Sequence, residues 1–251
     1  PAADKDGNIY FTDIFNNLIL VFTSEEKTDT LRTNSGRANG LFFDNEENLF
    51  ICEGNKGQVS MISPSGEYKS IISEYKGKKF NQPNDLWIDT KGGIYFTDPK
   101  YGEDEDILPQ EGMHVFYIKQ DKKTVIKVCD DFIRPNGIIG SSDGKILFIT
   151  DADGGKTYKY NIKEDGTLQN KSLFTNVGCD GMTIDKKGNL YLTPIGKFSV
   201  DIYSPESEFL ESIDLPEMPS NVCFGGKNSN VLYITARTSL YRVKMKTKGV
   251  Y

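Results

Sequence analysis

The chain carries a single histidine, His114, in 251 residues. That scarcity removes His-rich zinc centres, paired imidazoles and the usual Ser–His–Asp arrangement as sources of chemistry. Its four cysteines, Cys52, Cys129, Cys179 and Cys223, lie far apart with no Cys-x-x-Cys pair. They read as buried or half-buried free thiols, not as a disulfide framework, and the cytoplasm is the default compartment for such thiols. No apolar run approaches the ~20 residues of a membrane-spanning helix, so no membrane association is expected. Basic clusters are also lacking: the longest is the short run Lys76 to Lys79, and the formal charge is −6. A phosphate backbone would find no compensating patch, so nucleic acid is excluded as a partner. The sequence begins at Pro1 with no initiator Met and no charged-then-apolar leader, which leads us to expect that a segment precedes it. What remains for chemistry is oxygen: carboxylates, amides and hydroxyls.

What the chain has in abundance is repetition. A turn rich in Asp, Asn and Gly precedes a short apolar strand that ends in a small polar residue. The unit appears as Asp6-Gly-Asn-Ile-Tyr-Phe-Thr-Asp13, Glu46-Glu-Asn-Leu-Phe-Ile-Cys-Glu53 and Lys91-Gly-Gly-Ile-Tyr-Phe-Thr-Asp98. It returns as Gly144-Lys-Ile-Leu-Phe-Ile-Thr-Asp151, Lys187-Gly-Asn-Leu-Tyr-Leu-Thr-Pro194 and Ser229-Asn-Val-Leu-Tyr-Ile-Thr-Ala236. The aromatic anchors Tyr10, Phe50, Tyr95, Phe148, Tyr191 and Tyr233 are 40, 45, 53, 43 and 42 residues apart. Periods of that size mark propellers and solenoids. The units are short, aromatic or β-branched and bounded by turn residues, so they read as strands. Their nearly continuous apolar runs fit strands covered on both faces. Each is followed by an alternating strand, as at Leu18–Phe22, Gln58–Ile62 and Lys156–Tyr160. No segment reads as a helix. The expectation is one all-β domain over residues 1–251, a six-bladed propeller of four-stranded antiparallel blades around a central channel. A β-helix is the alternative, but its repeats are shorter. The sixth unit has too little chain for an outer strand. That strand would come from beyond Pro1 or Tyr251, and an open edge there would favour at most weak self-association of a monomer.

Eleven or twelve residues before each anchor stand Asn39, Asn84, Asn136, Asp180 and Asn221. In a propeller, equivalent positions of all blades surround the axis at one height, so these side chains are expected to converge in the channel. Asn-Gly and Asp-Gly are also common turn pairs, the plainer reading of the same residues. Hard amide and carboxylate oxygens suit a hard divalent cation, Ca²⁺ first, with Mg²⁺, Mn²⁺ or Zn²⁺ as further candidates. The equivalent position of the first unit falls just ahead of Pro1.

The chain contains Asn81-Gln-Pro-Asn-Asp-Leu86 with Gly93-Ile-Tyr-Phe-Thr-Asp-Pro-Lys-Tyr-Gly102, Arg134-Pro-Asn-Gly-Ile138, Asp180-Gly-Met182, Cys52-Glu-Gly54, and Leu232-Tyr-Ile-Thr235 with Leu240-Tyr-Arg242. Together these stretches resemble the SMP-30/gluconolactonase/luciferin-regenerating-enzyme-like family. The resemblance runs over essentially the whole chain. It implies a six-bladed propeller that binds a divalent cation, commonly Ca²⁺, in its channel and hydrolyses lactones or organophosphates. It also implies that Asn84, Asn136 and Asp180 are three of the ligands, the fourth being a blade-one Glu expected upstream of Pro1. Gln82 stands where some sugar-lactone-hydrolysing members carry a substrate-binding Arg, a departure that bears on gluconolactone as substrate. Cys179 replaces a frequent proline.

The resulting expectation is a metal-dependent hydrolase acting on a small-molecule lactone or ester. Asp180 would position or deprotonate the water, while Asn39, Gln82, Tyr101, Arg134 and Asn221 would orient the substrate. A phosphotriesterase at the same cation and a non-catalytic ligand-binding propeller are the alternatives. Other motifs count for less. Gly140-Ser-Ser-Asp-Gly144 fits a nucleophile-elbow pattern but falls in a hairpin turn without a partner His. Asp151-Ala-Asp-Gly-Gly155 begins like an EF-hand loop and lacks its remaining ligands. His114 reads as a packed strand residue. The acidic stretch Glu103–Glu111 reads as a solvated loop that could overhang the channel. Glu53, Asp98 and Asp151 read as turn or inter-blade hydrogen-bonding groups at the strand end away from the cation register.

Overall fold

The computed structural model describes residues 1–102 and 107–251. Six antiparallel sheets form a six-bladed propeller. The blades begin with the strands Ala2–Ala3, Ala38–Phe43, Leu86–Ile88, Pro135–Gly140, Cys179–Ile184 and Pro219–Gly225. Each of these inner strands touches the inner strand of the next blade, and that of blade six touches Ala2–Ala3, which closes the ring. Chain order equals spatial order in every blade, so each is a simple meander built from hairpins. No helix occurs among the described residues, and so none is long and apolar enough to cross a membrane.

The second strand of each blade carries the sequence repeat. Leu49–Glu53, Ile94–Asp98 and Leu190–Pro194 are buried at every residue, because neighbouring sheets cover both of their faces. Aromatic side chains fill the wedge between blades: Phe80 meets Phe96 and Phe116 edge-on, with centroids 5.0 and 5.1 Å away. The hairpins joining first to second strands repeat one device. Asp4, Asp44, Asp89 and Asp185 each accept the backbone N–H four residues on, at 2.8–2.9 Å. The turn residue before that N–H takes a left-handed φ, supplied by Gly7, Gly92 and Gly188. Ser142 lies in the corresponding turn of blade four, closed by the Gly144 N–H on the Ser141 carbonyl, so the nucleophile-elbow pattern has no strand–turn–helix behind it. All four cysteines are free and buried. His114 is buried on a blade-three strand with its Nε2 3.2 Å from the Gln110 carbonyl.

Blade six has three strands among the described residues, Pro219–Gly225, Val231–Ala236 and Leu240–Lys244. The segment after Lys244 turns towards the axis instead of adding an outer strand. The Lys186 N–H donates to the Lys248 carbonyl and the Gly249 N–H to the Ser229 carbonyl, both at 2.8 Å. The Tyr251 hydroxyl then accepts from Trp87 Nε1 and donates to the Gly140 carbonyl, each at 2.8 Å.

Candidate functional site at one end of the channel

Asn39, Asn84, Asn136 and Asp180 line a single cavity of about 610 Å³, together with Gln82 and Tyr101. They come from four successive blades, and in three of those blades a shared irregularity places them. In blades two, four and five the pairing of the first strand slips between Ala38 and Leu41, Pro135 and Ile138, and Cys179 and Met182. Each slip is a bulge with the Asn or Asp inside it, which re-aims that side chain at the axis. The glycine that follows is there for clearance, not for a turn. A Cβ on Gly40 would come within 2.7 Å of the Asn84 carbonyl, and one on Gly137 within 2.8 Å of the Asp180 carbonyl. Inner strands approach so closely at this height that only Gly fits.

Threonines of the repeat fasten this register across blades. Thr12 Oγ1 donates to the Asn39 carbonyl at 3.1 Å, Thr150 Oγ1 accepts the Cys179 N–H at 2.9 Å, and Thr193 Oγ1 donates to the Ser220 carbonyl at 2.9 Å. Each hydroxyl therefore ties the second strand of one blade to the donor-bearing backbone of the next. Glu53, Asp98 and Asp151 sit at this same end, not the far one. Antiparallel pairing sets Ala38 opposite Glu53 and Pro135 opposite Asp151. Their role as hydrogen-bonding groups stands: Asp98 accepts the N–H groups of Asn81 and Gln82, and Asp151 those of Ile133, Arg134 and Gly154, at 2.9–3.1 Å. Asp151 is thus a loop clamp and not the start of a calcium loop.

Asn221 departs from the expected register. The hairpin of blade six sets Cys223 opposite the anchor Tyr233, whereas blade three sets Trp87 opposite Tyr95. Its longer turn puts Ser220 at the level of Asn84 and drops Asn221 to the level of Asp85. Asn221 lines a second cavity, about 350 Å³, towards the other end of the channel. Its Nδ2 is 3.5 Å from Asp85 Oδ2. The acidic residues 103–106 of the suggested overhang lie outside the described residues. The part that follows is anchored sideways: Glu111 pairs with Lys78, and Gln110 Nε2 donates to the carbonyls of Lys78 and Lys79.

Electrostatics single out the middle of the site. Asp180 is pushed up to about 6 by burial and then by the charge of Asp85, and the Arg237 guanidinium opposes the shift. Burial chiefly raises Asp85 as well. Asp85 lines the second cavity, and the repulsion of its charge on the buried Asp180 favours a positive charge beside Asp180. Asn136 is buried, its Nδ2 donates to the Tyr101 hydroxyl at 2.7 Å, and its Oδ1 has no hydrogen-bond partner. An unpartnered amide oxygen in a carboxylate-bearing cavity has the chemistry that a hard cation requires of a ligand. No group of three or more His, Cys, Asp or Glu suited to a metal occurs among the described residues. The donor set Asn84, Asn136 and Asp180 is therefore oxygen-only and carries one negative charge, chemistry that fits Ca²⁺ or Mg²⁺ better than zinc or copper.

Around it, the Gln82 Oε1 accepts the Tyr101 N–H at 2.8 Å, and Arg134 lies over the Tyr101 ring 4.8 Å from its centroid. Arg134 Nε also pairs with Asp153 at 3.2 Å. Gln82, Tyr101 and Asn136 thus form one connected wall, and Arg134, which packs on the Tyr101 ring, does not itself line the cavity.

A family model described as the SMP-30/gluconolactonase/LRE-like region matches residues 1–238. The chain belongs to this family. It is 29% identical over 283 residues to a gluconolactonase of Zymomonas mobilis subsp. mobilis, covering 99% of this chain and 78% of that relative. Lactonase drp35 of Staphylococcus haemolyticus is 26% identical over 228 residues, 85% of this chain and 68% of the relative. Among solved structures, a protein titled as calcium-binding regucalcin from Agrobacterium tumefaciens superimposes with a TM-score of 0.83 at 14% identity, over 99% of this chain and 90% of that one. That last likeness concerns the propeller fold.

Within this SMP-30/gluconolactonase/LRE-like propeller, Asp85 is the residue that sequence reasoning missed. It directly follows Asn84, in the place where the neighbouring blades carry Gly40, Gly137 and Gly181. A carboxylate substituted into a column of glycines was the available signal.

Proposed function

We propose that the chain is a divalent-cation-dependent lactone hydrolase whose site is the cavity bearing Asn84, Asn136 and Asp180. The observation that carries this reading is the unpartnered Asn136 Oδ1 beside Asp180, buried where four blades converge. The relatives named for gluconolactone and lactone hydrolysis, and the structural neighbour titled as calcium-binding, support the same reading. Asn84, Asn136 and Asp180 would hold the cation, most favourably Ca²⁺. When bound there it supplies Lewis acidity towards a carbonyl oxygen and makes water more acidic.

The reaction adds water across the ring ester. A hydroxyl joins the acyl carbon, the acyl C–O bond breaks, and the ring oxygen takes the proton to give a hydroxy acid. Asp180 is the carboxylate assigned here to orient the water and accept its proton. Beside the cation its carboxylate would stay ionised, a weak base acting on water that the cation makes more acidic. Arg237 helps keep it ionised. The Tyr101 hydroxyl already accepts a hydrogen bond from Asn136, which leaves its own proton available for the departing ring oxygen. Burial raises Tyr101 above its ordinary value, so it stays protonated. Asn39 and Gln82 border the cavity on either side and are assigned to substrate orientation.

The test pairs activity with binding. Hydrolysis of a small lactone should stop on chelation and return with Ca²⁺. Calorimetric Ca²⁺ affinity should fall more than about tenfold in Asn136→Ala, the loss of one charge-assisted ligand. Hydrolysis indifferent to chelator, or Ca²⁺ binding indifferent to that substitution, overturns the proposal.

A further inference from the structure

The cavity has two unlike halves. Blades three and four contribute the polar wall, and there the side chains are already engaged with one another. Gln82 Oε1 is taken by the Tyr101 N–H, Asn136 Nδ2 by the Tyr101 hydroxyl, and Arg134 Nε pairs with Asp153. Blades one, five and six contribute Ile14, Phe15, Ile195, Met218 and Pro219 to the same cavity, with Asp180 and Arg237 as their charged groups there. Phe15 is 87% exposed at the tip of a turn fixed by Asp13, whose Oδ1 accepts the Asn16 N–H at 3.0 Å. Ile195 is 52% exposed, just past the blade-five strand that ends at Pro194. Apolar side chains scattered singly over a surface need no explanation, but a group of them converging on one cavity marks a recognition surface.

We infer that the site takes lactones bearing an apolar substituent, an alkyl chain or aromatic ring, with Phe15 and Ile195 as specificity-determining residues. This rests on the lactone-hydrolase reading above and names its substrate class. A polyhydroxylated ring placed here would turn hydroxyls towards Phe15, Ile195 and Met218, whose side chains offer them no hydrogen bond. An alkyl substituent would bury the apolar half and leave the ester at the oxygen donors. Each methylene buried is worth about 0.8 kcal/mol, close to a fourfold gain in kcat/KM, and about twofold where the wall stays half open.

The experiment compares δ-valerolactone, a series of δ-lactones with growing alkyl chains, and glucono-δ-lactone. We expect kcat/KM to climb about two- to fourfold per methylene over the first few carbons, mainly through KM, and to exceed that for gluconolactone at least tenfold. Phe15→Ser and Ile195→Ser should each flatten the climb at least fivefold. Leu210→Ser, an exposed outer-strand change away from the cavity, should leave it intact. A preference for gluconolactone, a flat chain-length series, or a climb that survives both cavity substitutions overturns the inference. Calorimetry with the matching lactams, which resist hydrolysis, separates this from failure of the reaction itself. If no lactone is hydrolysed yet the alkyl lactam binds and Phe15→Ser weakens it, the hydrolase reading falls and the apolar specificity stands. If the alkyl lactam binds no better than the polyhydroxylated one, the specificity falls.

Discussion

The two ends of the channel are built from the same six inner strands and look nothing alike. At the site end the strands bulge, backbones approach to glycine-only distances, and amide and carboxylate oxygens face inward. At the far end the pairing is regular and the hairpins repeat one Asp-anchored turn. There the second cavity is walled by Leu41, Ile138, Met182 and Val222, with Tyr251 laid against Trp87 and Gly140. Regular pairing maximises satisfied hydrogen bonds and buried apolar area, so the far end holds the ring together. The bulged end forgoes some of that stability and keeps an unpartnered oxygen and the raised carboxyl of Asp180. Departure from regularity is where we propose that the chemistry resides.

Substitutions at each end test that division. The largest effect is expected from Asp180→Ala: kcat/KM for a small lactone should drop at least ~10³-fold, within the span of a lost acid–base group. The metal-free protein should keep or gain thermal stability, because a desolvated charge is removed. A large loss of stability would mean that Asp180 is structural. Trp87→Ala is the far-end counterpart. Removing a fully buried indole stacked on Tyr95 at a 5.8 Å centroid distance should cost about 3–5 kcal/mol in denaturant unfolding. Calcium affinity at temperatures where the variant stays folded should be little altered, and a tenfold change would show the ends to be coupled.

Gly40→Ala sharpens the boundary. The added methyl would sit 2.6 Å from the Asp85 Cα and 2.7 Å from the Asn84 carbonyl, so the inner strands must part at a cost of about 1–3 kcal/mol. Both unfolding and calcium titration should register it, since Asn84 moves with that backbone. The smallest effect is assigned to Thr150→Val. It removes the acceptor of the Cys179 N–H, beside Asp180, at about 1 kcal/mol in unfolding. Calcium affinity is expected to weaken a few-fold, and an unchanged affinity would reduce the hydroxyl to a local staple.

Much of this was legible beforehand, for reasons that can be traced to particular residues. The anchors from Tyr10 to Tyr233 marked the blade count because strands covered on both faces are apolar over nearly their whole length. Asn39, Asn84, Asn136 and Asp180 could be aligned because blades two to five keep hairpins of nearly equal length. Asn221 could not: a longer hairpin in blade six shifts the count, and only pairing reveals that Ser220 holds the level of Asn84. The same blindness misplaced Glu53, Asp98 and Asp151, since strand direction, not sequence distance, decides which end a residue occupies.

The chain's periodicity thus determined by itself the fold class, the number of blades and the oxygen character of the donors, because those depend on short-range alternation and residue type. The tertiary structure alone decided that the glycines serve clearance and that Asp85 stands beside Asp180. It also decided that Asn136 keeps a buried oxygen unpartnered and that the cavity has one polar and one apolar half. These are relations between blades some forty residues apart, and they exist only once the ring has closed.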